Sequence, residues 1–172
     1  MTVEPALGCV PQTRQALNPA RLRQVFGAFP TGVTALAALV DDQPVGIAAS
    51  SFTSVSLSPP LVSVSVAHTS TTWPLLRHAP RYGVSVLSAD QERAGRQLAD
   101  RQGDRFAEVR WRATAGGAVL LEGASAWLEC SIHQQIPAGD HDLILLRVHD
   151  VEADSAITPL VFHASQFRRL EL

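Results

Sequence analysis

Small hydroxyl side chains cluster at two places where the sequence also turns, and they are the clearest candidates for binding chemistry. The first cluster lies within residues 46–58, GIAASSFTSVSLS, and the second within residues 68–73, HTSTTW. Hydroxyl groups and the N–H groups of turns are neutral donors that can hold a phosphate or the polar edge of a ring. Serine and threonine are also ordinary turn-forming residues, so their presence alone favours a simple barrel rim with capped turns.

Most familiar catalytic motifs are absent from the sequence. All 14 basic residues are arginines, so there is no lysine to form a Schiff base, a phosphate-binding loop or a Ser–Lys pair. The sequence contains no GxGxxG, GxSxG, HExxH or CxxC pattern, and its six histidines are not spaced as metal ligands. We therefore predict no metal site and no residue that acts by acid–base catalysis.

Length and composition describe one folded domain. A chain of 172 residues with 46% hydrophobic and 17% charged residues can bury a core and does not have the composition of a disordered protein. A net charge of −2 does not favour nucleic-acid binding, and no apolar run is long enough to span a membrane. The high apolar fraction predicts a further buried surface, such as a homodimer interface.

The N-terminal region differs from the rest of the chain in composition and lacks its periodic apolar pattern. Residues 1–17 contain two prolines and a glycine without periodicity, so we predict a flexible tail followed by a single domain over residues 18–172. The first residues lack the basic and apolar segments of a secretion signal. The two cysteines, Cys9 and Cys130, lie far apart and favour no disulfide. We expect a cytoplasmic protein.

Strands outnumber helices in the pattern of the chain. Asn18 is a good N-cap before Pro19, and the apolar spacing carries that helix to Phe29. Ser88 begins a second helix that ends near Arg101. A short helix is predicted over residues 73–78, and strands over residues 33–40, 45–52, 61–66, 82–87, 119–121, 126–136, 143–151 and 160–162. Because these strands do not alternate with helices, we predict a mainly β fold with a few helices, an antiparallel barrel or sandwich.

Several segments, taken in order, resemble the short-chain flavin reductase family, whose members carry a flavin reductase-like domain. The longest such segment is GIAASSFTSVSLSPPLV over residues 46–62, and an earlier one is FGAFPTGVT over residues 26–34. Shorter segments are STTW at 70–73, SVLS at 85–88, DRF at 104–106, LEC at 128–130 and GDH at 139–141. The resemblance extends over about residues 21–170, nearly the whole chain.

The resemblance implies a split β-barrel of the FMN-binding type, usually a homodimer. Its implied activity is the transfer of a hydride from NADH or NADPH to FMN or FAD. Many members of the family supply free reduced flavin to a separate flavin-dependent monooxygenase. Two alternatives stay open: a split-barrel oxidase with a fixed prosthetic flavin, similar to the pyridoxamine-phosphate oxidases, and a ligand-binding barrel without catalysis.

The resemblance also implies which residues contact the cofactors. The implied flavin-binding positions are Ala48, Ala49, Ser50, Ser51, Ser65, Val66, Ala67, His68, Ser70, Thr71, Thr72, Gln97 and Leu98. His141 and Phe167 are implied on the nicotinamide side. Three positions depart from the family, since His68 stands where lysine is frequent, Gln97-Leu98 where Arg-Phe is frequent, and Phe167 where tyrosine is more frequent. We predict that a protonated His68 partly replaces the missing lysine beside the flavin phosphate.

Overall fold

A computed structural model describes residues 17–170 of the chain. Residues 1–16, which include Cys9 and nearly all of the predicted tail, lie outside the described residues, as do the last two. The predicted boundary between tail and domain therefore stays a prediction. Within the described part, no helix is both long and apolar enough to cross a membrane.

The described chain is dominated by strands. Its helices are α1 (Pro19–Phe26), α2 (Trp73–Leu76) and α3 (Glu92–Ala99), and α3 follows a 3₁₀ turn at Ala89–Gln91. The strands are β1 (Thr31–Gly32), β2 (Thr34–Val40), β3 (Gln43–Ala49), β4 (Thr53–Leu57), β5 (Pro60–Ala67), β6 (Tyr82–Val86), β7 (Trp111–Ala113), β8 (Val119–Leu121), β9 (Ala126–Ala138), β10 (His141–Ala153), β11 (Leu160–His163) and β12 (Gln166–Arg169). The prediction of a mainly β fold with a few helices is confirmed.

Seven strands form the central antiparallel sheet. Their order is β3-β2-β6-β9-β10-β5-β4, and two smaller sheets, β1-β11-β12 and β7-β8, accompany it. The edge strands β3 and β4 form no ladder with each other, so main-chain hydrogen bonds do not close this sheet into a continuous barrel. The region between the two edges is where a cavity can form.

The core lies in two clusters that support the region between the edges. The strict alternation of residues 61–66 predicts one shared face for Val62, Val64 and Val66, and all three are buried in the first cluster, together with Trp73. The second cluster lies beneath α3 and includes Leu98. Burial of these apolar side chains fixes both β5 and α3, the elements on which the cavity depends.

Helix α1 is shorter and more exposed than the sequence predicts. Its N-cap is confirmed, because the side-chain oxygen of Asn18 accepts a hydrogen bond of 2.9 Å from the backbone N–H of Arg21. The helix ends at Phe26 because Gly27 caps it, so the predicted end at Phe29 is wrong. None of its residues is buried, and Val25 and Phe26 of its apolar stripe are exposed.

The sequence analysis also missed four strands and misplaced the end of one. The missed strands are β1, β4, β7 and β12; they are two to five residues long, and β12 is largely polar. Strand β1 pairs with the distant β11, whereas β4, β7 and β12 pair with the strands next to them in the sequence, β5, β8 and β11. Each becomes a strand through its partner rather than through its own residue pattern. The strand predicted over residues 45–52 ends at Ala49, so the next three residues, Ser50 to Phe52, form a turn.

Candidate functional site

A cavity of about 350 Å³ opens where the ends of β3, β5 and α3 meet the start of β10, and we call it the main cavity. It is lined by Ile47, Ala48, Ala49, Ser50, Ser51, Ser65, Val66, Ala67, Thr69, Ser70, Thr71, Leu98, Ala99, Arg101, Arg105 and His141. Every predicted site residue lines it except His68, Thr72, Gln97 and Phe167. The fold therefore brings together residues that lie up to 94 positions apart in the chain, Ile47 and His141.

Ser51 joins the two walls of the main cavity. Its hydroxyl accepts a hydrogen bond of 2.9 Å from the backbone N–H of Ser65 and lies 3.2 Å from the Ser65 carbonyl oxygen, to which it donates. Strands β3 and β5 are not neighbours in the sheet and share no main-chain hydrogen bonds. The Ser51 side chain therefore links the end of β3 to β5 at this point. Ser51 is consequently a structural element of the cavity as well as part of its lining.

The polar loop after β5 is held by its own hydrogen bonds and by the β9–β10 turn. Within the loop, the backbone N–H of Ser70 donates to the Ala67 carbonyl at 2.9 Å. The Ser70 hydroxyl accepts a bond of 3.1 Å from the N–H of Trp73, the first residue of α2. Thr72 is 8% exposed at the start of α2 and does not line the main cavity, whereas its neighbour Thr71 does.

Two histidines near the cavity have different carboxylate partners. His141 lines the main cavity, and its Nδ1 donates to the carboxylate of Asp140 at 2.7 Å. His68 lies 3.2 Å from the Asp142 carboxylate through Nε2 and does not line the cavity. Each hydrogen bond lowers the pKa of its aspartate, and Gln135 adds a second bond to Asp142 at 2.7 Å. The sequence analysis placed His68 at the flavin, but its imidazole bonds to Asp142 and the residue does not line the main cavity.

Gln97 also lies outside the main cavity lining. Its side-chain nitrogen donates to the backbone carbonyls of Asp104 at 3.0 Å and Ala107 at 2.7 Å. These bonds attach the segment after α3, residues 100–110, to the helix. One helical position rotates a side chain by about 100°, so Gln97 faces this segment while its neighbour Leu98 reaches the cavity.

Phe167 lines a second, smaller cavity of about 120 Å³, which we call the apolar cavity. Its other lining residues are Val33, Ala48, Ala49, Ser50, Gly95, Ala99 and Phe162. Four of these, the residues 48–50 and Ala99, line the main cavity too, so the two spaces adjoin. Phe167 packs edge-on against Phe162 at 5.3 Å between centroids and carries the Arg96 guanidinium over its ring at 4.8 Å.

Five lining residues were not predicted from the sequence: Ile47, Thr69, Ala99, Arg101 and Arg105. Ile47 and Thr69 directly adjoin predicted residues, and Arg105 belongs to the DRF segment, so a signal was available for these three. Ala99 likewise directly follows the predicted Leu98, so Arg101 alone has no such signal in the sequence. Arg105 is half-buried, donates from Nη1 to the Gly46 carbonyl at 3.0 Å, and has a pKa lowered by burial.

The lining of the main cavity suits a phosphorylated ligand with a ring system. It offers six hydroxyl side chains and two guanidinium groups but no aspartate or glutamate. Its volume lies in the range of about 300–1,000 Å³ typical of small-molecule sites, and the adjoining apolar cavity can receive a nonpolar ring edge. Among residues 17–170, no group of three or more histidine, cysteine or acidic side chains could hold a metal ion.

Replacing Ser51 with alanine is expected to lower the free energy of unfolding by about 1–3 kcal/mol, because it leaves the part-buried N–H and carbonyl of Ser65 without this partner. Urea denaturation measures the change. Ser50→Ala is the matched control, because Ser50 is exposed and its side chain makes no hydrogen bond to the described residues. Equal stability of the two variants would remove Ser51 from this bridging role.

An open antiparallel sheet with a hydroxyl-lined cavity between its edges is the architecture of the split-barrel class of proteins. Comparison of the sequence with known families identifies the family within that class. Residues 26–171 match the family described as "Flavin reductase like domain", and the chain belongs to that family.

Relatives and a solved structure agree with this membership. The chain is 42% identical over 154 residues to an NADH-dependent FAD reductase from Streptomyces globisporus, covering 87% of this chain and 84% of that protein. It is 33% identical over 157 residues to the reductase subunit of a flavin-dependent monooxygenase from Rhodococcus jostii, covering 91% and 80%. It superimposes with a TM-score of 0.84 and 41% identity on a Streptomyces globisporus NADH:FAD oxidoreductase in complex with NAD and FAD fragments, covering 91% and 97% of the two chains.

Proposed function

We propose that this protein is an NAD(P)H:flavin oxidoreductase that binds FMN or FAD in the main cavity and releases reduced flavin to a partner monooxygenase. The observation that carries the proposal is the donor-rich lining contributed by the turn after β3, the loop after β5 and the end of α3. The family and the names of its relatives, an NADH-dependent FAD reductase and a monooxygenase reductase subunit, support the same conclusion.

The residues of this chain would bind and align the two nucleotides. The hydroxyls of Ser50, Thr69 and Thr71 are available to the polar parts of a flavin, and Ala48 and Ala49 leave room for a ring at the junction of the two cavities. When bound, the nicotinamide and the flavin supply the redox chemistry, a hydride transfer between their rings. Holding the rings at about 3–3.5 Å requires orientation and exclusion of water, but no nucleophile or metal.

Steady-state consumption of NADH tests the proposed activity. Without oxygen and with flavin in large excess over protein, each NADH reduces one flavin, and we expect the nicotinamide absorbance to fall until many equivalents of flavin per chain are reduced. Reduction of many equivalents per chain without another oxidant identifies flavin as a substrate that is exchanged. Consumption that stops after one equivalent per chain would instead indicate a fixed prosthetic flavin, and no consumption with either NADH or NADPH would contradict the proposal.

His141 is proposed to contact the nicotinamide nucleotide. His141 lines the main cavity, and because its Nδ1 is bonded to Asp140, Nε2 is the ring nitrogen left for a ligand. His141→Ala is expected to raise KM for NADH about tenfold, as the loss of one contact of about 1.4 kcal/mol predicts, with a smaller effect on flavin affinity.

The matched control for that substitution is His149→Ala, which removes an exposed imidazole that bonds to Ser131 across the β9–β10 hairpin, outside the main cavity lining. This control should leave KM for NADH within about twofold of the parent value. Equal increases in the two variants would mean that His141 acts through the stability of the β9–β10 turn and not through the nucleotide.

A homodimer is a further part of the proposal. Val55 and Leu57 are 49% and 95% exposed on the edge strand β4, and Phe29 is 73% exposed beyond α1. An edge strand with exposed apolar side chains is a surface that proteins ordinarily cover. Sedimentation equilibrium at micromolar concentration should give twice the chain mass of 18.5 kDa. A single-chain mass under the same conditions would contradict the dimer.

A cytoplasmic location also belongs to the proposal, because reduced nicotinamide nucleotides are the electron source and that compartment maintains them. Cys130 is buried and unpaired, and burial raises the pKa of its thiol to about 12. A thiol of this kind is unreactive and needs no oxidising compartment.

A further inference from the structure

Two arginines bring the only permanent positive charge to the main cavity lining. Arg101 and Arg105 are the basic residues of the lining. The lining contains no aspartate or glutamate to neutralise them. Six other arginines of the described chain form ion pairs with carboxylates, whereas neither of these two forms one within the described residues. The cavity therefore favours an anion.

Arg105 is fixed at the cavity wall with donors to spare. Its Nη1 donates to the Gly46 carbonyl of β3 at 3.0 Å, which holds the guanidinium in place. A guanidinium has five N–H donors, so one such bond leaves several for a ligand. Burial lowers the pKa of Arg105, and the charge of Asp100 opposes that shift, so the group is partly withdrawn from water but stays charged.

The part of the segment that carries Arg105 is attached to α3 and packs against β3. Gln97 donates to the carbonyls of Asp104 and Ala107, and the Asp104 carboxylate accepts the N–H of Phe106 at 2.9 Å. Phe106 is buried against Gly46, where an added Cβ would lie only 2.9 Å from the Phe106 ring. A preorganised guanidinium spends less conformational entropy on binding than a free one.

We propose that Arg105, assisted by Arg101, binds the phosphate group of a nucleotide in the main cavity. This inference rests on the proposed function and deepens it. His68, which pairs with Asp142, and the neutral Gln97 both lie outside the main cavity lining, so neither adds a positive charge to it. The phosphate belongs either to the flavin nucleotide or to the nicotinamide dinucleotide, and guanidinium groups bind both through charge-assisted hydrogen bonds.

The test compares ligands that differ by a phosphate. The dissociation constants of FMN and of riboflavin, which lacks the phosphate, are measured by flavin fluorescence for the parent and for Arg105→Gln and Arg101→Gln. KM for NADH is measured with riboflavin as the acceptor. Arg110→Gln is the matched control, because it removes the same charge from an exposed arginine outside the main cavity lining.

If the flavin phosphate is the ligand, Arg105→Gln weakens FMN binding about tenfold, Arg101→Gln weakens it less, and riboflavin binding changes by less than about twofold. If the dinucleotide is the ligand, KM for NADH rises instead, and both flavins bind as in the parent. Equal weakening of FMN, riboflavin and NADH would overturn the proposal and assign Arg105 a structural role at Gly46. Unchanged binding of all three would also overturn it.

A failure of the proposed function would be recognised separately. In that case the parent protein would bind neither FMN nor riboflavin, before any arginine is changed. The variant Arg101→Gln is expected to fold normally, since the exposed Arg101 side chain makes no hydrogen bond or ion pair to the described residues. Misfolding therefore cannot explain a loss of FMN binding in that variant. An effect of Arg101→Gln on FMN but not on riboflavin therefore supports the phosphate contact even if Arg105→Gln unfolds.

Discussion

Gly83→Ala is expected to destabilise the protein by about 3 kcal/mol or more, enough to unfold much of a marginally stable domain. Gly83 is buried in β6, where β8 crosses the face of the central sheet. A Cβ at this position would overlap the Val119 carbonyl oxygen and lie 2.6 Å from its carbonyl carbon. The obstacle is backbone, so no change of a side-chain rotamer can relieve it.

Urea denaturation of Gly83→Ala measures this effect, and Gly32→Ala is its control. Gly32 is also a strand glycine, but an added Cβ there meets nothing within 4 Å. The control should therefore change the free energy of unfolding by no more than about 0.5 kcal/mol. A shift of the same size in both variants would mean that β8 does not hold its position against β6 in solution.

Ala99→Trp is expected to have the largest effect on binding, lowering flavin affinity and kcat/KM about tenfold or more. Ala99 is the last residue of α3, is exposed, and lines both the main cavity and the apolar cavity. An indole group at that junction competes for the space that a flavin ring would occupy. Because the position is exposed, the fold should tolerate the larger side chain.

The control for the blocking substitution is Ala20→Trp. Ala20 is an exposed helical alanine of α1 that lines neither cavity, so flavin affinity should stay within about twofold of the parent value. Titration of flavin fluorescence measures both variants. An Ala99→Trp protein that is folded and binds flavin as tightly as the parent would exclude the junction of the two cavities as the binding site.

The sequence predicted those parts of the fold that depend on local patterns. Alternation identified the buried valines of β5, and the Asn18 cap fixed the start of α1. The apolar stripe of α1 indicated a helix but not its surroundings, because a periodic pattern does not specify what covers it. Strands β4 and β12 were missed because their pairing partners, not their residues, make them strands.

The predicted site residues coincide with the main cavity where they lie at strand ends and diverge from it where side-chain direction decides. Ser51 and Ser65, both implied by the resemblance, lie in the cavity wall. Thr72 and Gln97 each lie one residue away from a lining residue and face other partners. Arg101 was missed because only the path of the segment after α3 brings it to the cavity.

A crystal structure of the protein with FMN would test the central claim most directly. We expect the flavin in the main cavity, with polar atoms of the flavin within hydrogen-bonding distance of the turn at Ser50 and Ser51 and of the loop at Thr71. A flavin bound elsewhere, with the main cavity holding only solvent, would contradict the proposed site. Clear binding in the main cavity, together with multiple turnovers of NADH, would establish both the site and the activity.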